Sequence, residues 1–222
     1  DDPMACGVSR WSRRGGTWQP ETFVPIEVSR YAAEPRVVYD KPMPVMSAEP
    51  SLIRDLDDSL LFTARGAGDE IDDHIFRVWR STDGAESWDL ILELPQGRGQ
   101  APVTINQAAD GSPYLAATTL GHERGWLCLW PLNGERNGLG ERLTVRDGER
   151  EFGAAPSGKP WYIDHASGGR LQLADGRWHG VLTYRVMDTG EFSMGAPAPQ
   201  TGLYVEEVIS RGPEVAAWRF AE

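Results

Sequence analysis

The stretch Ser81-Thr82-Asp83-Gly84-Ala85-Glu86-Ser87-Trp88 lies between an alternating run, His74 to Arg80, and an apolar run, Leu90 to Leu94. This pattern predicts a tight turn joining two antiparallel strands. Asp83 and Ser87 carry short side chains that bond turn amides, Gly84 tolerates a positive φ, and Trp88 folds back as an apolar plug. A chain punctuated in this way is committed locally to hairpins.

The rest of the sequence follows the same grammar. Twenty-five Gly, sixteen Pro and nine Trp in 222 residues, with few Leu/Ala-rich windows, favour short strands and many turns. No segment shows a helical period. Residues 4 to 28 read as a hairpin around Ser12 to Trp18, and Ser29 to Pro50, with Pro35, Pro42, Pro44 and Pro50, reads as a crossing that holds one short strand, Arg36 to Tyr39. A complete repeat runs from Glu49 to about Pro95: Ser51 to Arg54, a turn at Asp55 to Asp58, Ser59 to Arg65, an acidic loop, then the two strands around the octapeptide. A second begins at Ala101 with a turn at Ala109 to Ser112. A third begins at Pro160 with Trp161 to Asp164, a Gly-rich turn, Arg170 to Leu173, a turn at Ala174 to Arg177, and Trp178 to Val186. It closes with Leu203 to Ile209 and Val215 to Phe220.

The octapeptide resembles the Asp-box of the BNR-repeat, sialidase-like β-propellers, written Ser/Thr-x-Asp-x-Gly-x-Thr/Ser-Trp. Ser81, Asp83, Ser87 and Trp88 match, and Ala85 stands where the family has glycine. In the upstream copy Gly15, Thr17 and Trp18 fit, while Arg13 replaces the aspartate. The run from Pro50 to Arg65 is similar to the inner hairpin of such blades. The resemblance implies an all-β fold, a β-propeller of four-stranded blades forming one domain over residues 1–222, in a secreted or periplasmic setting. Repeat starts near 49, 101 and 160 agree with the roughly 40–50 residues of a propeller blade. The count is about three and a half blades, a partial ring of up to about five, where closed propellers hold roughly four to eight. Either the remainder comes from another segment or chain, or a further blade lies within residues 29–50.

Propeller loops that join second to third strands, and one blade to the next, gather around the axis, where function concentrates. Arg65 and Arg185 each end the second strand of a repeat and are read as pointing at the axis, a partial clamp for a carboxylate. Glu49 opens the first inner strand, and His74 borders the acidic loop of Asp69, Glu70, Asp72 and Asp73. Crowding there raises at least one carboxyl pKa and offers Asp72 or Asp73 as a general acid; a solvated loop or weak calcium binding are the alternatives. Tyr162 and Asp164 are two apart on an inner strand and share a side, with His165 on the other. They offer a nucleophile or acid, or else pack between blades and bond a turn amide. The resemblance implies an arginine cluster holding the substrate carboxylate and a tyrosine nucleophile assisted by a glutamate and an aspartate. The family's Arg-Ile-Pro motif is absent; Glu34-Pro35-Arg36-Val37 is its nearest echo.

A formal charge of −11 argues against nucleic acid or an anionic membrane surface as partner. No apolar run of about 18 residues is present to insert into a membrane. Cys6 and Cys128 form a disulfide or stay as two buried thiols, and the four scattered histidines suggest no metal site and no cofactor. The expected function is a sialidase-like glycoside hydrolase acting on an exposed, acidic sugar. The rivals are a non-catalytic propeller that binds glycan or protein, and a lyase on an acidic polysaccharide.

Overall fold

The computed structural model describes residues 5–28, 37–38, 41–42, 48–65, 75–95, 102–118, 125–188, 201–209 and 219–220. A two-stranded hairpin, β1 (Ala5–Arg14) and β2 (Thr17–Val28), comes first, followed by a short ladder of β3 (Val37–Val38) and β4 (Lys41–Pro42). Three four-stranded antiparallel meanders follow. Blade 1 is β5 (Ala48–Arg54), β6 (Leu60–Arg65), β7 (Ile75–Ser81) and β8 (Asp89–Pro95). Blade 2 is β9 (Thr104–Gln107), β10 (Pro113–Thr118), β11 (Trp126–Pro131) and β12 (Leu143–Asp147). Blade 3 is β13 (Trp161–Gln172), β14 (Trp178–Asp188), β15 (Gly202–Ile209) and β16 (Arg219–Phe220). Repeated meanders stacked face to face are the construction of a β-propeller, here a partial ring.

Alternation explains the stacking. Successive strand residues point to opposite faces, so a sheet between two others reads as a continuous apolar run. In β10, Leu115 and Ala117 enter the core shared with blade 1, whereas Tyr114 and Ala116 enter the core shared with blade 3. In β11, Cys128 and Trp130 go one way, Leu127 and Leu129 the other. A third core joins the hairpin to blade 1 through Cys6, Phe62, Ala64 and Trp79. The two cysteines therefore belong to different interfaces, and both are buried free thiols; burial pushes the Cys128 thiol up.

Polar clasps fix how the innermost strands meet. Ser51 Oγ donates to the Ile105 carbonyl at 2.9 Å and accepts from the Ile105 amide at 3.2 Å. Thr104 Oγ1 donates to the Ala166 carbonyl at 2.9 Å, and Asn106 Oδ1 accepts from the Gly168 amide at 2.7 Å. At the opposite edge Arg136 grips buried Asp55 with two N–H bonds of 2.6 and 3.0 Å, tying the β11–β12 loop to the first turn of blade 1.

The octapeptide turn forms as its residues dictate. Asp83 Oδ1 accepts from Ser81 Oγ at 2.8 Å and from the amides of Glu86 and Ser87 at 3.0 Å, while Oδ2 accepts from Ser87 Oγ at 2.6 Å. Gly84 and Ala85 both have positive φ, 74° and 73°. Trp88 meets Phe62 edge-on at 5.9 Å.

Three expectations are corrected. Residues 12–18 do not repeat this turn: β1 and β2 run through them to a two-residue Gly15-Gly16 turn, and Trp18 is 66% exposed. Without an acceptor at Arg13 to gather amides, paired glycines of positive φ suffice for a tight hairpin. The Gly-rich segment of the third repeat is not a turn either. It continues β13 through a bulge between Asp164 and Ser167, and Gly168 and Gly169 pair with Leu182 and Val181. One short helix, α1 (Gly148–Phe152), occurs where no helical period was visible; it is capped by Asp147, whose side chain accepts from the Arg150 amide.

Hydrogen bonds from Ser87, first its hydroxyl and then its amide, hold the Asp83 carboxyl well below the usual carboxylate range. A depressed folded-state pKa adds stability that is complete above the unfolded value near 4 and is lost as pH falls below it. Asp83→Asn is expected to flatten the acid limb of a thermal-midpoint-versus-pH curve and to lower the midpoint at pH 7. Asp55→Ala, which leaves half-buried Arg136 without its carboxylate, is expected to cost about 2 kcal/mol in urea denaturation.

Candidate functional site

The strands β5, β9 and β13 all begin at one end of the stack. By antiparallel alternation the second strands β6, β10 and β14 end there, and the third strands β7, β11 and β15 begin there. Asp72, Asp73 and His74 lie outside the described residues, as do Asp69 and Glu70. Arg65 ends β6, where its backbone pairs with Ala48 and Phe76; its side chain is not described. Glu49 is half-buried and has a φ of 56°, at a register shift between Ala48 and Ser51.

On blade 3 the structure gathers Tyr162, Asp164, His165 and Arg185. Asp164 and Arg185 are cross-strand partners. Arg185 donates from Nε at 3.1 Å and Nη2 at 2.9 Å to the same oxygen, Asp164 Oδ1. The Asp164 side chain is wholly buried, whereas that of Arg185 is 34% exposed. The guanidinium carbon also lies 5.7 Å from the centre of the Tyr162 ring, within cation–π range. His165 does not turn away from Asp164 as strict alternation predicts. The bulge gives it a φ of 51° and brings Nε2 to 3.6 Å from Asp164 Oδ2. One buried carboxylate therefore orients the partly exposed Arg185 and lies near the exposed His165 ring.

The pair does not project along the axis. Tyr184 and Val186, on either side of Arg185 in β14, are buried in the core against blade 2. Arg185 therefore points from the opposite face of blade 3. Arg65 and Arg185 belong to blades separated by blade 2, so the described residues bring only Arg185 of the two to this cluster.

Two further groups near this end escaped the sequence reading. Buried Asp188, at the end of β14, accepts from the Ser157 amide at 2.8 Å and from the Ser157 hydroxyl, holding the link from α1 to β13. Across the blade 2–3 seam, Arg146 donates to Tyr184 Oη at 2.5 Å, to Glu206 at 2.6 Å and to Glu151. Tyr184 in turn donates to Glu206 at 2.9 Å and stacks on Tyr204 with centroids 5.7 Å apart. Burial pushes the Tyr184 hydroxyl above its ordinary value, which suits it to donate to Glu206 and not to act as a nucleophile. Nothing in sequence linked Tyr184 to Arg146. Among the described residues no group of three His, Cys, Asp or Glu side chains could hold a metal ion.

No family model and no curated protein matches the chain. Solved structures do. An α-L-arabinanase from Penicillium chrysogenum complexed with arabinobiose aligns over 97% of this chain and 57% of its own, with a TM-score of 0.54 and 12% identity. The GH93 α-L-arabinofuranosidase of Fusarium graminearum with arabinobiose aligns over 93% of this chain and 55% of its own, with a TM-score of 0.51 and 9% identity. The chain thus shares their fold and spans just over half of their length.

Removing one partner from a buried ion pair leaves the other uncompensated. Because Arg185 is partly solvated, Arg185→Ala is expected to cost about 2 kcal/mol. Asp164→Asn combined with Arg185→Gln is expected to recover part of that loss, a coupling that a double-mutant cycle in urea measures directly.

Proposed function

We propose that this chain is a carbohydrate-active propeller of the glycoside hydrolase class, taking an exposed sugar at the end of the stack where the inner strands begin. The carrying observation is the convergence of Tyr162, His165 and Arg185 on buried Asp164. A rigid guanidinium with solvent-exposed N–H groups recognises a sugar carboxylate or vicinal hydroxyls, and the tyrosine ring beside it covers the apolar face of a pyranose or furanose. Both structural neighbours described above contain arabinobiose, which supports a saccharide ligand.

The roles follow from accessibility. Asp164, its Oδ1 engaged by two N–H groups, positions Arg185 and does not deliver a proton. In this reading Tyr162 is at hand for the reacting carbon, and Asp72 or Asp73 remains the candidate general acid, with Glu49, Arg65 and His74 as candidate substrate contacts. Protonating the leaving oxygen and stabilising an oxocarbenium-like transition state are what paired acidic groups supply in such hydrolases. A second reading, a glycan-binding propeller without catalysis, is favoured by one observation: Arg185 and Asp164 already satisfy each other, so the cluster binds without needing a reactive group.

The test is turnover of fluorogenic arabinofuranosides, sialosides and uronides, alongside calorimetric titration with arabinobiose. The hydrolase reading expects product release that falls roughly 100-fold or more in an Asp72→Ala, Asp73→Ala variant. Titration heats lost in Arg185→Lys, with no turnover by the wild type, would establish the binding reading. Folded protein silent in both assays would reject the two together.

A further inference from the structure

Strand register makes the three blades comparable residue by residue. Ser51 pairs with Thr63, Thr104 with Ala116, and Ser167 with Thr183. Just before these pairs, towards the end where the inner strands begin, blades 1 and 3 carry the same irregularity. Glu49 and Pro50 stand opposite Ala64, between the pairs Ala48–Arg65 and Ser51–Thr63. His165 and Ala166 stand opposite Tyr184, between the pairs Asp164–Arg185 and Ser167–Thr183. The first residue of each bulge is left-handed, with φ of 56° at Glu49 and 51° at His165. A bulge of this kind ordinarily places glycine there, because a Cβ disfavours such a backbone. Among the described residues blade 2 does not repeat the bulge: its inner pairing starts at Thr104, and the ring of Pro102, two residues earlier, bars a positive φ.

The clasps between blades set both bulges beside one strand. Ser51, the residue after the first bulge, is bonded through Oγ to both backbone groups of Ile105. The carbonyl of Ala166, the second residue of the other bulge, accepts from Thr104 Oγ1. Glu49 and His165 therefore flank Thr104 and Ile105 of β9 from either side, and neither residue is buried. Backbone strain of this kind persists where the surrounding structure over-determines it, and bulges beside functional sites serve to re-aim a side chain. Here an ionisable residue takes the strained position in two different blades, at the same place in the register.

We propose that Glu49 and His165 are a two-pronged contact for a neutral sugar, each presented by its bulge at the end of the stack where the inner strands begin. This inference rests on the sugar-binding reading and specifies its ligand. A carboxylate accepts hydrogen bonds from sugar hydroxyls and repels an acidic sugar, while an imidazole can both donate to and accept from a hydroxyl. Arg185 already has Asp164 as its counter-ion, so Glu49, Asp164 and Arg185 together present no surplus positive charge to a sugar carboxylate. The net charge of −11 acts in the same direction.

Glu49→Gly and His165→Gly separate the strain from the contact. Each is expected to raise the thermal midpoint by about 2–4 °C, since glycine relieves the left-handed backbone. Each is also expected to weaken arabinobiose binding roughly tenfold or more in calorimetric titration. Glucuronic acid is expected to bind the wild type more weakly than arabinobiose does. A midpoint that falls on glycine substitution assigns the side chain to holding its bulge and overturns the proposal. Glycine variants that bind arabinobiose as the wild type does overturn it too, and tighter binding of glucuronic acid overturns the choice of a neutral sugar. A wild type that binds neither compound rejects the sugar-binding reading and this inference with it, a result told apart from the others because it needs no variant.

Discussion

The four-stranded sheets of blades 1 and 2 have two apolar faces each, and neither can be left in water without cost. A sheet in a sandwich buries one face and wets the other; here β6, β10 and β11 send successive side chains into different cores. The unit of stability is therefore the seam between sheets and not the sheet. A side chain in β10 cannot be altered on behalf of one interface without its immediate neighbour answering to the other.

The seams are also where the charges lie. Asp55 with Arg136, Arg146 with Glu206, and the clasps at Ser51, Thr104 and Asn106 all join one sheet to the next. Partly buried ion pairs add little net stability once desolvation is counted, but they penalise misregister heavily. A planar fork satisfies two acceptor geometries at once, and the twenty arginines against two lysines in this acidic chain suit that work. Asp164 and Arg185 are instead paired within one sheet, across β13 and β14. They lie on a face that no described sheet covers, which makes the pair a candidate for ligand recognition.

Much of the architecture was legible because its signals are local. The Asp83 turn needed only residues within four positions of the aspartate, and the inner-strand starts near 49, 101 and 160 were visible from their turns and alternation. What could not be read depended on geometry across strands. Glycines at 168 and 169 look like a turn by composition, yet the bulge that precedes them keeps the strand running. That bulge also brings His165 back towards Asp164, against the period-two expectation. Arg185 was recognised as a strand-end arginine, but its orientation followed from Tyr184 being committed to blade 2, a fact of packing. The Arg146 contact with Tyr184 spans 38 residues and leaves no mark in either local sequence.

Gly180 carries a consequence for the whole assembly. A Cβ there would stand 2.4 Å from the Val208 carbonyl oxygen and 2.7 Å from the backbone of Ala108 and Ala109, whose turn bonds Val208 through a 3.0 Å amide contact. Backbone meets backbone at this point, with no side chain between the turn of one sheet and the middle of the next. Such a contact works as a hinge pin: the two sheets close upon it, and its thickness sets the wedge between them. Any larger residue would open that wedge, and a single methyl group would tilt blade 3 away from blade 2 along their whole shared seam.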